Sequence, residues 1–233
     1  MEVSENKRNL RLQSDFTEEE LADFVSLFSS DKMYGIILGF AEAEHLTETA
    51  KALPFMKESH EGQYRKPSFF SDKKTPYIAH PLMMACHLHA LGIREDAILA
   101  SALLHDVLED CDVKEEDLPV GKEVREAVAL LTYRPDPNVK KETLKRAYYE
   151  GIGTNRIATI VKIIDRCNNI STIAGSFPER RLVSYINETE SFVMPLLESA
   201  RQTYPEFSDA LFVVKYHMRS ILESLKGLLL RLR

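Results

Sequence analysis

Four ionisable side chains close an otherwise apolar run in AILASALLHDVLED: His105, Asp106, Glu109 and Asp110. On a helix His105 and Glu109 lie four residues apart and share a face, and Asp106 and Asp110 share the neighbouring one. Such a cluster is either a helix end meeting solvent or a binding site, because a buried charge is costly unless it is paired or bound to a metal. Two other places weigh toward the site. Asp165 stands in the middle of IVKIIDRCNNI, four residues before Asn169, where a solvated face is hard to arrange. His80 precedes Pro81 in PYIAHPLMMA, at a helix start that would hold its imidazole on a rigid entry turn. Two histidines and two aspartates from three helices make a mixed nitrogen and oxygen cage. That cage suits Mn²⁺ or another first-row divalent ion better than Ca²⁺ or Mg²⁺. Cys167, two residues past Asp165, should point elsewhere.

The elements that position these groups read as helices throughout. Ser14 or Asp15 caps a helix through Ser29, and a longer pattern runs from Asp31 to His60, bent near Pro54. Residues 61–76 read as loop. Pro81 serves as the first residue of a helix that Gly92 closes. Further helices are expected over Glu95–Glu109, Gly121–Tyr133 and Val139–Glu150. Another runs from a Thr154 cap to Ala174, then Phe177–Ala200 kinked at Pro195, and Glu206–Leu230. No period-two strand pattern persists. The expectation is an all-α bundle of about eight to ten helices. Residues 1–30 form an N-terminal extension with one helix, and 31–233 form the functional domain.

Composition narrows the partners. The chain has 233 residues, with 30 Lys and Arg against 36 Asp and Glu, a net charge of −6. That balance disfavours nucleic acid. Three cysteines without motif spacing argue against a disulfide framework, and the N-terminus has no secretory apolar core. The most apolar run, residues 34–43, is too short to span a bilayer. These features fit a cytoplasmic protein. The last helix, with leucines on more than one side, buries them either in the core or in a homo-oligomer. His60, His87 and His89 read as structural, His60 as a solvated or capping residue.

The order His80, His105-Asp106, Asp165 resembles the signature of the HD-domain metal-dependent phosphohydrolases. The flanking text, HEGQYRK (60–66), PYIAHPL (76–82), ALLHDVLED (102–110) and VKIIDRCNNIST (161–172), looks like the hydrolase domain of RelA/SpoT homologues. ERRLVSYINETESFVMPL (179–196) continues the likeness, which covers roughly residues 35–225. The match is to the small stand-alone alarmone hydrolases. The resemblance implies a compact HD-domain helical bundle that releases pyrophosphate from the 3′ position of ppGpp and pppGpp. It implies His80, His105, Asp106 and Asp165 as ligands of Mn²⁺, and Glu109 and Asp110 as the pair that orients or deprotonates water. It also implies Arg65, Lys66, Asn169, Thr172, Lys140 and Lys145 as contacts to a small nucleotide.

The chain departs from the family in two places. A longer loop, KPSFFSDKKT with Phe69 and Phe70, separates Arg65 from His80. Cys167, Asn168, Ile170 and Ser171 replace the Leu, His, Met and Arg usual in the last motif. These departures keep two rivals open. One is an HD phosphohydrolase acting on NADPH or a nucleoside monophosphate, which would release orthophosphate. The other is a weakly active nucleotide-binding regulatory module, against which the intact Glu109-Asp110 pair stands.

Overall fold

The computed structural model describes residues 29–66, 74–173 and 176–231. Every regular element among them is helical. The elements are α1 (Ser30–Ala43), α2 (Thr47–Ser59), α3 (Ala79–Ala90), α4 (Asp96–Leu104), α5 (Val107–Asp110), α6 (Lys122–Leu131), α7 (Lys141–Gly153), α8 (Arg156–Ile170), α9 (Glu179–Glu188), α10 (Met194–Thr203) and α11 (Ser208–Arg231). Ten of these have nine residues or more, within the expected number. Extended pairing is limited to one antiparallel bridge between Tyr64 and Pro76. The helix expected to run to Ser29 lies outside the described residues except for Ser29 itself, which caps α1 by accepting Lys32 N–H at 3.3 Å. Phe69 and Phe70 and the reach to Ala174 lie outside them as well.

The centre of the bundle is α4. Every residue from Ile98 to Leu104 is buried, and a helix apolar on all sides needs neighbours all round. It packs on α2, α3, α6 and α8. Asp96, in its first turn, caps α2 from a distance: its carboxylate accepts Glu48 N–H at 2.8 Å and Thr49 N–H at 2.7 Å. This supplies two donors that α2 would otherwise leave open, since its own N-cap, Leu46, has no side-chain acceptor.

Several boundaries differ from the expectation for physical reasons. The stretch from Asp31 to His60 breaks at His45 rather than bending at Pro54. His45 takes φ 59°, and Leu46 N–H closes back on Ala41 C=O at 2.8 Å. This is the left-handed helix end usually built with glycine. Pro54 sits inside α2 without ending it. Pro81 is the third residue of α3, not the first, still within the turn whose N–H groups lack helical partners. Gly92 closes that helix as expected, with φ 79°. Asn155, not Thr154, caps α8, accepting Ala158 N–H at 2.9 Å. In place of a kink at Pro195, a π-helical turn, Thr189–Val193, separates α9 from α10, and Pro195 sits in the first turn of α10.

The change that matters most for the site is in Glu95–Glu109. The helix stops at Leu104, and His105-Asp106 form a turn before the four-residue α5. Glu109 therefore does not continue the helical face of α4.

Candidate active site

Three helices deliver four donors to one point. His80 comes from the first turn of α3, His105 and Asp106 from the turn after α4, and Asp165 from the buried second half of α8. His80 Nε2 lies 3.1 Å from Asp165 Oδ1, and His105 Nε2 lies 2.8 Å from Asp106 Oδ2. The cross distances are short as well: 3.8 Å from His105 Nε2 to Asp165 Oδ1 and 3.9 Å from His80 Nε2 to Asp106 Oδ2. Donor atoms of His80, His105 and Asp165 all fall within 4.8 Å of one another.

Both imidazoles are held from behind. His105 Nδ1 donates to Ala102 C=O at 2.8 Å, and His80 Nδ1 is 2.7 Å from Asn168 Oδ1. Their Nε2 atoms face the shared point, and His105 Nε2, buried there 2.8 Å from Asp106 Oδ2, makes no well-aligned hydrogen bond. Two imidazole nitrogens and two carboxylates that converge on one buried point fit a divalent cation of the first transition row. Without one, burial opposes a charge on His105, yet the adjacent Asp106 carboxylate and then Asp165 raise its pKa to about 9.

The carboxylates are also positioned. Asp165 Oδ2 accepts Lys162 Nζ at 2.9 Å, leaving Oδ1 toward the histidines. Burial would raise its pKa, but Lys162 first, then His80 and His105, hold it well below the carboxylate range. Tyr77 donates its hydroxyl to Asp106 Oδ2, and burial followed by the Asp106 charge keeps that phenol neutral. His60, expected as a solvated or capping residue, is 2 % exposed. It caps α2 rather than facing solvent, and packs against Tyr77 with ring centroids 4.6 Å apart.

A cavity of about 1090 Å³ opens over the centre. Its wall brings together all but two of the residues singled out from the sequence: Arg65, Lys66, His80, Asp106, Glu109, Asp110, Lys145, Asp165, Asn169 and Thr172 line it. His105 lies buried behind the wall. Lys140 is exposed as the N-cap of α7, and its neighbour Lys141 lines the cavity instead. Burial raises the Glu109 pKa, although Tyr133 N–H, 2.9 Å from its Oε2, works against that. Arg65 reaches Asn169 Oδ1 at 3.1 Å, and Asn169 Nδ2 reaches Asp165 Oδ1 at 2.5 Å. Lys145 is paired with Glu188. At the rim Lys66 and Arg181 lie 5.2 Å and 4.1 Å from the centroid of Phe177.

Sequence reasoning missed Tyr77, Lys162 and Arg181 in this wall. Lys162 had a signal, an ammonium three residues before Asp165 in an apolar run. Tyr77 and Arg181 had none beyond lying in motifs.

No family model matches the chain. A Xenopus tropicalis protein, guanosine-3′,5′-bis(diphosphate) 3′-pyrophosphohydrolase MESH1, is 32% identical over 157 residues, covering 66% of this chain and 84% of its own. The chain belongs to the HD-domain family of guanosine-3′,5′-bis(diphosphate) 3′-pyrophosphohydrolases. The Aquifex aeolicus member of that family is also 32% identical over 157 residues, but there the match spans only 21% of a longer protein. A solved structure, described as a metazoan orthologue of SpoT that hydrolyses ppGpp, superposes with a TM-score of 0.58 at 22% identity. It covers 76% of this chain and 95% of the other, and it supports the helical fold of this family member. No helix among the described residues is long and apolar enough to cross a membrane.

Proposed function

We propose that this chain hydrolyses the 3′-pyrophosphate of ppGpp and pppGpp, giving GDP or GTP and pyrophosphate, with Mn²⁺ held by His80, His105, Asp106 and Asp165. The observation that carries the reading is the convergence of those four donors on one buried point, in a member of this family. When bound, a divalent ion supplies Lewis acidity toward a phosphoryl oxygen and toward water.

The chain's own residues supply the rest. Glu109, whose pKa burial raises, accepts the proton of the attacking water, and Asp110 orients that water. Arg65, Lys66, Asn169 and Thr172 hold the nucleotide, and the basic residues of α7 that line the cavity, Lys141 and Lys145, stand toward the departing pyrophosphate. The cavity matches a small nucleotide in size. Its local cations offset the acidic average of the chain, so net charge does not oppose such a ligand. Residues 31–233 form the catalytic unit, acting in the cytoplasm on a small molecule rather than on nucleic acid. Self-association through α11, which exposes Tyr216 and Leu230, belongs to the same reading.

The test is product identification with ppGpp, pppGpp and NADPH, each with Mn²⁺. Pyrophosphate and GDP from ppGpp are expected. Orthophosphate from NADPH with ppGpp untouched would overturn the substrate assignment.

A further inference from the structure

We propose that Asn168 is a positioning residue for the ligand His80. Its amide oxygen accepts Nδ1–H and thereby commits Nε2, as a lone pair, to the centre. The inference rests on reading that centre as a metal site.

The two histidines show why the orientation matters. A neutral imidazole carries its proton on one nitrogen only. At His105 the choice is made by Ala102 C=O, which can only accept, so in the neutral ring Nδ1 holds the proton and Nε2 presents its lone pair to the centre. At His80 the group behind the ring is the Asn168 amide, 2.7 Å from Nδ1. Its oxygen toward the ring reproduces the arrangement at His105. Its nitrogen toward the ring would place the proton on Nε2, 3.1 Å from Asp165 Oδ1, and His80 could not ligate. The outer hydrogen bond of a metal-bound histidine normally fixes the tautomer in this way.

The placement follows from α8. Asp165 and Asn168 are three residues apart and share a helix face, so one helix presents a ligand and the group that orients a second ligand on α3. Asn168 is a position where this chain departs from the histidine usual in the family motif. An imidazole there has to settle its own tautomer, whereas an amide offers an acceptor outright.

The experiment is equilibrium dialysis against Mn²⁺ alone, using the full chain as wild type, Asn168→Ala, Asn168→Asp, His80→Ala and the double variant His80→Ala/Asn168→Ala. Apo-protein melting is followed in parallel. Asn168→Ala is expected to weaken Mn²⁺ binding by roughly 10–100-fold with apo melting unchanged. Asn168→Asp, an acceptor with no donor, should restore wild-type affinity or better. In the His80→Ala background, Asn168→Ala should change the affinity by less than about twofold, because its effect runs through the missing ring. Wild-type affinity in Asn168→Ala would overturn the role. So would an Asn168→Asp protein as weak as Asn168→Ala, or a full-sized effect without His80. A wild-type protein that takes up no Mn²⁺ would instead overturn the metal centre itself.

Discussion

Asp165 and Arg166 are consecutive buried residues of α8, and they serve two charge clusters built in opposite ways. Around Arg166 the opposite charges meet directly. Its NH2 donates to Glu188 Oε1 at 2.6 Å and to Tyr149 Oη at 2.8 Å, and the guanidinium lies 4.0 Å from the Tyr185 ring centroid. Glu188 also accepts Lys145 and, at 3.0 Å, Tyr149. Around Asp165 two carboxylates and two imidazoles converge on one point, with His105 Nε2 2.8 Å from Asp106 Oδ2 and His80 Nε2 3.1 Å from Asp165 Oδ1. A buried charge matched by its neighbours ties helices together, here α7, α8 and α9. A buried set whose donors all face one point calls for something from outside.

The comparison breaks first where the open cluster is changed. Asp106→Ala or His105→Ala should abolish both Mn²⁺ uptake, read by metal analysis after dialysis, and pyrophosphate release. A variant that keeps its ion would remove the ligand assignment. Glu109→Gln separates chemistry from binding within the same cavity. Its kcat should fall by roughly 10²–10⁴-fold, the usual worth of a general base, with Mn²⁺ uptake intact. Full activity in this variant would show that the proton goes elsewhere.

The closed cluster should answer in stability instead. Arg166→Met leaves Glu188 without its principal partner, and breaking a buried pair costs about 3–5 kcal/mol. The partial exposure of Glu188, 19% of its side chain, puts the expected loss toward the lower end. Denaturant unfolding reads the loss, and the variant should keep its ion. The smallest effect concerns pH. Burial alone would raise the Glu188 pKa, but Arg166 and Lys145 lower it from 4.5 to about 2. A lowered folded-state pKa stabilises the protein above the unfolded value, and that stability disappears as pH falls from 4.5 toward 2. Glu188→Gln should flatten this part of the stability profile, while a wild-type slope in the variant would mean that other carboxylates produce it.

The sequence revealed the open cluster more readily than the closed one. Asp165 amid isoleucines and His105-Asp106 at the end of an apolar run are legible because charge is costly there. Arg166 lies in the same run, but its partner Glu188 is 22 residues on, and nothing local marks the pairing. The helical periodicity of α4 and α8 was equally plain. The break at His45 was not, because a histidine rather than a glycine adopts the left-handed conformation. The turn at His105-Asp106 was hidden because the same residues also fit a continuing helix. Lys140 was placed one residue from the lysine that lines the cavity, a rotation of about 100° on a helix face.

The most direct test is a crystal of the full chain grown with Mn²⁺, measured at a wavelength where manganese scatters anomalously. The account predicts an anomalous peak at ligand-bond distance from His80 Nε2, His105 Nε2, Asp106 and Asp165 Oδ1, with Asn168 Oδ1 still behind the His80 ring. A crystal with no peak among those atoms, with His105 Nε2 bonded to a protein or solvent group instead, would contradict it.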